Sequence, residues 1–264
     1  MFGITTHKQL PDEYLNSYSH WDTCMATVWA ALLLEYQLAP NMTVIEIAPG
    51  TSTKIGLALQ KCLFQGKLYL VEPSEKSLSI LYNRYKSILP NTEIYPIPHT
   101  LLNSIDYLPK NSDFILSNHP LDDMLIANQW ANSNQSSLFD WALSPSGEIS
   151  ALFLEQWLSW TSDLSQLYFA KRDVIRQWQQ FFLQVKSSVT LISQYPSITL
   201  QKNQLQDLNE HASDILNGLK NSNPVPYQQI QSILNQLENY NNKHIATEVL
   251  NAKNWFVAIA NFHN

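Results

Sequence analysis

Charge is scarce in this chain. Asp, Glu, Lys and Arg make up 14% of its 264 residues, where an average globular domain carries roughly 25%. The 16 Lys and Arg are outnumbered by 22 Asp and Glu, for a net charge of −6. Nowhere do the cations gather into a basic stripe. Neutralising the phosphates of a duplex needs clustered Lys and Arg, so the composition argues against a nucleic-acid partner. Cysteine is nearly missing. Cys24 and Cys62 both fall in apolar stretches that read as helices and fit buried free thiols, and no Cys/His spacing suggests zinc. Long apolar runs are missing too. The longest, Ala26 to Leu34, is too short to span a bilayer, and the first residues lack the basic-then-apolar pattern of a secretory signal. The expectation is a cytoplasmic protein with no membrane contact, although a secreted effector without a conventional signal would have the same composition. What the chain does have is apolar bulk. Hydrophobic residues make up 45% and aromatics 11%, enough for a sizeable core in one large domain.

The pattern along the chain alternates. Residues 1–16 are polar and read as an irregular arm, and residues 17–37 as a helix with Pro40 just beyond its end. Residues 43–48 (TVIEIA) form a short β-branched apolar run closed by Pro49-Gly50, which reads as a buried strand and a tight turn. A helix over 52–64 follows. Residues 67–72 (KLYLVE) are a second strand, and 74–87 a second helix with Ser74 as its N-cap. Residues 93–97 read as a third strand, weakened by Pro96, and 113–118 as a fourth, buried one. Strands and helices at this spacing imply βαβ crossovers and a parallel sheet. The second half differs. Residues 150–186 read as helical and aromatic, 188–195 as a fifth strand, and 203–240 as two polar helices split by Asn223-Pro224-Val225-Pro226. Residues 244–250 and 254–262 carry the signature of a terminal hairpin.

The turn after the first strand carries the chemistry. Glu46 lies near the strand end, Gly50 sits in the turn, and a helix opens just beyond. Glycine lets backbone approach a ligand, and a helix N-terminus offers unpaired N–H groups. The second strand ends in Glu72, placed about 20 residues past the glycine turn, where a carboxylate can accept both hydroxyls of a ribose. A nicotinamide-cofactor domain expects G-x-G-x-x-G at this point. Gly50 and Gly56 are the only glycines available, at the wrong spacing. Glu46-Ile47-Ala48-Pro49-Gly50-Thr51-Ser52 instead resembles the first motif of class I S-adenosylmethionine-dependent methyltransferases, E/D-x-G-x-G-x-G. The middle glycine is kept, and Ala48 and Ser52 replace the outer two. Leu70-Val71-Glu72-Pro73 is similar to the second motif of that family, and Phe114-Ile115-Leu116-Ser117-Asn118-His119-Pro120 to the fourth.

The resemblance covers roughly residues 40–262. It implies a Rossmann-like α/β fold: a mostly parallel seven-stranded sheet with helices on both faces, a terminal antiparallel hairpin and helical insertions over the site. It implies S-adenosylmethionine as cofactor, held by Glu46, Ala48, Gly50, Ser52, Glu72, Pro73, Ser117 and Asn118, with Glu46 helping to position the turn and the methionine ammonium. The domain would divide into a helical cap (1–38), a cofactor core (40–195), a helical insertion (196–243) and a hairpin (244–263). Where the family often has an acid near the adenine, this chain has Pro98-His99-Thr100.

Methyl transfer is an in-line displacement that needs an oriented nucleophile and sometimes a base. His119, after strand four, suits the base because imidazole titrates near neutrality; capping the next helix is the other reading of it. Asp122 joins it as a candidate catalytic acid, and Asp123 reads as an ordinary first-turn acid. Asn118-His119-Pro120-Leu121 departs from the Asn/Asp-Pro-Pro-Tyr motif of enzymes that methylate planar amino groups, which weakens that reading. Strand five ends without an acid, so no metal is expected. Tyr18 and Trp21 on the first helix, with His119, are candidates to line a substrate pocket. Trp29 reads as core, and the aromatic run 153–182 as helix packing or the surface of a homodimer. The expected activity is methyl transfer to a small-molecule O or N nucleophile. A non-catalytic scaffold of the same fold and aminopropyl transfer from the decarboxylated cofactor are the alternatives.

Overall fold

The computed structural model describes residues 12–118, 120–121, 124–125, 127–128, 163–193, 223–224 and 256–260, with backbone alone for 12–21, 24, 164, 167 and the last two segments. Its elements run α1 (Asp12–Glu35), β1 (Thr43–Ile47), α2 (Lys54–Lys61), β2 (Lys67–Val71), α3 (Glu75–Ile88), β3 (Glu93–Ile97), a single 3-10 turn (Ile105–Tyr107), β4 (Asn111–Asn118), α4 (Leu164–Gln184), β5 (Lys186–Ser193), β6 (Asn223–Pro224) and β7 (Phe256–Ala260).

The strands form one sheet in the order β3-β2-β1-β4-β5-β7-β6. β3 through β5 are mutually parallel, and β7 runs antiparallel to β5. This is the mostly parallel α/β arrangement that the alternating pattern implies. Of the expected terminal hairpin, residues 254–262 contain β7, and residues 244–250 lie outside the described residues. Along the other edge of β7 runs the two-residue β6, within the Asn-Pro-Val-Pro break between the two expected helices.

Alternation along each strand sorts side chains onto two faces. Val44, Leu68, Leu70, Phe114 and Leu116 face α1, α2 and α3, where Trp29, Leu33, Leu59 and Tyr85 close one core. Ile45, Ile47, Val71, Ile97 and Ile115 face α4, whose Val174, Trp178 and Phe181 close the other. Trp178, Phe181 and Phe182 are therefore packing residues, their rings meeting at 5.4–6.1 Å between centroids. Cys62 is buried as a free thiol, and burial pushes it up to about 11, so it is no nucleophile at neutral pH.

Boundaries differ from the sequence reading where local chemistry outweighs periodicity. α1 is already helical at Asp12 rather than from residue 17, and Asp12 and Glu13 suit the positive end of a helix dipole. Ser74 caps α3 as expected, accepting from the Ser77 N–H at 3.2 Å. Pro96 is tolerated in β3 because β3 is the sheet edge, where a missing N–H need not break a ladder. The helix expected through residue 186 stops at Gln184. From Lys186 the chain, with Val189, Thr190 and Ile192, pairs along β4 instead. Among the described residues, no helix is long and apolar enough to cross a membrane.

Candidate functional site

Strand order reverses at β1: the chain passes outward to β2 and β3, then returns to the other side of β1 as β4. In an open parallel sheet the carboxyl ends of the strands at such a reversal flank the ligand crevice. The β1–β4 pairing reaches Glu46 opposite Leu116. Beyond it, the buried Ser117 hydroxyl donates to the Ile47 carbonyl at 2.6 Å and ties the two strand ends together.

The turn leaving β1 is built from two residues in the left-handed region, Ala48 (φ 52°) and Gly50 (φ 57°). The Ala48 N–H donates to the Val71 carbonyl at 2.8 Å, which extends the β1–β2 ladder by one bond before the chain turns away. The Ser52 N–H closes the turn on Pro49, at 3.1 Å. Alanine keeps the conformation that glycine adopts freely, at a cost of about 1–2 kcal/mol. Ala48→Gly is expected to raise stability by about 0.5–1 kcal/mol once the greater freedom of the unfolded glycine is subtracted. Urea denaturation measures this, and a loss of stability would mean that the alanine methyl packs usefully.

Glu72, at the end of β2, is 3% exposed. One carboxylate oxygen accepts from the Gly50 N–H and the other from the Ser74 N–H, both at 3.0 Å. The residue expected to meet the ribose thus also fastens the β1 turn to the start of α3. Pro73 is half-buried between them.

Glu46, near the end of β1, is 1% exposed. The Tyr85 hydroxyl, from α3, lies 3.2 and 3.0 Å from its two oxygens. Burial pushes the Glu46 carboxyl up to about 8, with the Tyr85 hydrogen bond opposing part of the rise. The Tyr85 hydroxyl also accepts from the Gly56 N–H of α2 at 2.9 Å. Its own ionisation is pushed well up by burial and then by Glu46.

The raised Glu46 has a stability signature. The folded protein holds a proton between about pH 4.5 and 8 that the unfolded chain gives up, so stability falls as pH rises through that window. Glu46→Gln removes the titration. Its stability relative to the parent is expected to improve from about pH 5 to about pH 8 by on the order of 3 kcal/mol. Equal differences at both pH values in chemical denaturation would show that Glu46 ionises normally.

On the α1 side, the Lys54 ammonium is buried and lies 3.3 Å from Asp22. Thr53 donates to the same carboxylate at 3.3 Å, so α1 is pinned to the opening of α2. At the end of β4, the Asn118 carbonyl oxygen accepts from Trp29 Nε1 and from the Ser193 hydroxyl, both at 3.1 Å. An indole N–H only donates, so this contact fixes which way the Asn118 amide faces.

Glu46, Ala48, Gly50, Ser52, Glu72, Pro73, Ser117 and Asn118 therefore gather at the carboxyl ends of β1, β2 and β4. His119, Asp122 and Asp123 lie outside the described residues. Tyr18 and Trp21 fall on the α1 backbone, with side chains outside the description. Sequence reasoning missed Tyr85, Asp22 and Lys54, and it took Trp29 for core alone. Trp29 is fully buried, but its indole also orients the candidate site residue Asn118. Gly56 was the available signal for Tyr85, because a glycine inside a helix marks a close approach.

The donor set can be tested against a cofactor. Dinucleotides place a pyrophosphate on the amides of this turn. Here the Gly50 amide is committed to a carboxylate, which puts negative charge where phosphate would sit. Two buried acids beside a left-handed turn fit instead a ligand that carries positive charge and hydroxyl donors.

No family model and no curated protein matches the chain. Solved structures do resemble it. A SAM-dependent methyltransferase from Aquifex aeolicus is 11% identical, with 86% of this chain and 85% of that one covered, at a TM-score of 0.39. A geranyl diphosphate methyltransferase in complex with SAM is 10% identical over 89% and 84%, at 0.42. A protein from Clostridium thermocellum assigned as an rRNA methylase is 9% identical over 86% and 92%, at 0.45.

Proposed function

We propose that the chain is an S-adenosylmethionine-dependent methyltransferase acting on a small-molecule O or N nucleophile. The observation that carries this reading is the Glu72 carboxylate bonded to the Gly50 amide inside the β1 turn. That arrangement disfavours a phosphate and favours a cationic cofactor. When bound, S-adenosylmethionine supplies the electrophilic sulfonium methyl.

The chain's own residues then divide the work. Glu72 accepts from the ribose hydroxyls, and Glu46 offers the acid that meets the ammonium. Ala48, Gly50 and Ser52 let the backbone approach, and Pro73, Ser117 and Asn118 wall the crevice. His119, next after Asn118, takes the proton from the acceptor, with Asp122 beside it. Tyr18 and Trp21, on α1, line the acceptor's pocket. The full sheet is the seven-stranded one, ending in an antiparallel pair, and the chain works in the cytoplasm. The net charge of −6 and the lack of a basic cluster support a small acceptor over RNA, the substrate in the name of one structural neighbour.

Calorimetric titration with S-adenosylmethionine and S-adenosylhomocysteine, beside NAD, tests the reading. Micromolar binding of the first two and none of NAD is expected. If neither binds, the function moves to the scaffold reading, which Ala48 and Ser52 in glycine positions motivate.

A further inference from the structure

We propose that Tyr85 is a positioning residue for the cofactor, and that its hydroxyl couples cofactor binding to the loss of one proton from Glu46. The inference rests on the cofactor reading above.

The hydroxyl has one proton and two lone pairs. The Gly56 N–H holds one lone pair from 2.9 Å. Three acceptor oxygens surround the proton: the two of Glu46, at 3.2 and 3.0 Å, and the Ser52 carbonyl, at 3.4 Å. Two complete hydrogen-bond patterns are therefore available. With Glu46 ionised, the tyrosine donates to the carboxylate. With Glu46 neutral, the carboxylic acid donates to the second lone pair of the tyrosine, whose own proton turns to Ser52. Both charge states of a fully buried acid are satisfied, and the exchange places a hydrogen bond on the cofactor turn or removes it.

The surroundings decide which state the free protein holds. Glu46 is flanked in the sheet by Leu70 and Leu116. Among the described residues, no Lys or Arg pairs with it. Lys54, from α2, lies against Asp22, from α1. Asp22 acts on Tyr85, where its charge further opposes ionisation. Glu72, from β2, accepts from backbone amides. Burial therefore keeps Glu46 neutral near neutral pH, and a cationic ammonium is the kind of neighbour that favours its ionisation. On binding, the Glu46 O–H bond breaks, its electron pair stays on the carboxylate, and the proton passes to solvent. The Tyr85 proton swings from Ser52 to Glu46.

Titration of the full chain with S-adenosylmethionine, at about pH 6 and about pH 7 in buffers of different ionisation enthalpy, counts the protons released. At these values the ligand's own amine stays largely protonated. The wild type is expected to release about one proton per cofactor, with affinity rising close to tenfold between the two pH values. Glu46→Gln should release none and bind independently of pH. Tyr85→Phe should bind about tenfold more weakly at about pH 7, without altering Glu46→Gln in the double variant. Should Tyr85→Phe fail to fold, the comparison of wild type with Glu46→Gln decides alone. Binding by the wild type with no proton release overturns the inference and leaves the cofactor reading intact, as does unchanged proton release in Glu46→Gln. Wild-type affinity in Tyr85→Phe likewise overturns it. No binding by the wild type overturns the cofactor reading, and this inference with it.

Discussion

Gly56→Ala is expected to destabilise the protein by about 3–5 kcal/mol. A Cβ at this position would lie 2.4 Å from Tyr85 Cε1 and 2.7 Å from its Cζ, well inside any tolerable contact. The ring has nowhere to go. Tyr85 is fully buried in the core between α2, α3 and the sheet, and moving it breaks the hydroxyl's bonds to Glu46 and to the Gly56 amide itself. Overpacking and the orphaning of a buried acid therefore act together. Urea denaturation of the variant gives the loss. The double variant with Tyr85→Leu isolates the cause, because removing the ring should abolish most of the alanine's cost. A cost for Gly56→Ala below about 1 kcal/mol, or one that survives in the Tyr85→Leu background, would show that the ring does not rest on α2 as described.

Glu72→Gln is expected to lower both stability and cofactor affinity. The carboxylate accepts one amide at each oxygen. Glutamine can satisfy only one of them, and its NH2 group then faces the N–H of Gly50 or Ser74, donor against donor. Leaving a buried donor without its acceptor costs about 1–3 kcal/mol, and the resulting loosening falls on the turn leaving β1. Under the proposed function the same change removes an acceptor from the ribose, so affinity for S-adenosylmethionine should fall more than about tenfold. The two readouts separate the roles. A loss of stability with unchanged affinity would make Glu72 a turn fastener alone.

Much of the sheet was legible because its signals are local. The β-branched run at 43–48, the serine before α3 and the acid closing β2 each announce an element within a few residues of itself. Local signals also marked the candidate turn, since Glu46, Gly50 and Glu72 sit at strand ends that can be counted along the chain. The partners of those residues could not be read in the same way. Tyr85 is 39 residues from Glu46, on the inner face of a helix where a tyrosine looks like any apolar residue. Trp29 is 89 residues from Asn118, and only the fold makes its indole an orienting group. Lys54 meets Asp22 only because α1 packs against α2. The start of α1 and the end of α4 were misjudged by a few residues, because terminal acids and β-branched residues outweigh an apolar period there.

The Asn118 carbonyl, where Trp29 and Ser193 converge, has a consequence for synthesis. Asn118 emerges from the ribosome 89 residues after Trp29, and Ser193 a further 75 after that. At translation speeds of about 5–20 residues per second, the first of these intervals is about 4–18 s. For that interval the Trp29 indole lacks its acceptor, although β1, α2 and β2, which share its core, are out before it ends. The Trp29 indole N–H is therefore expected to gain protection from solvent exchange only once β4 is out, later than the side chains it packs against.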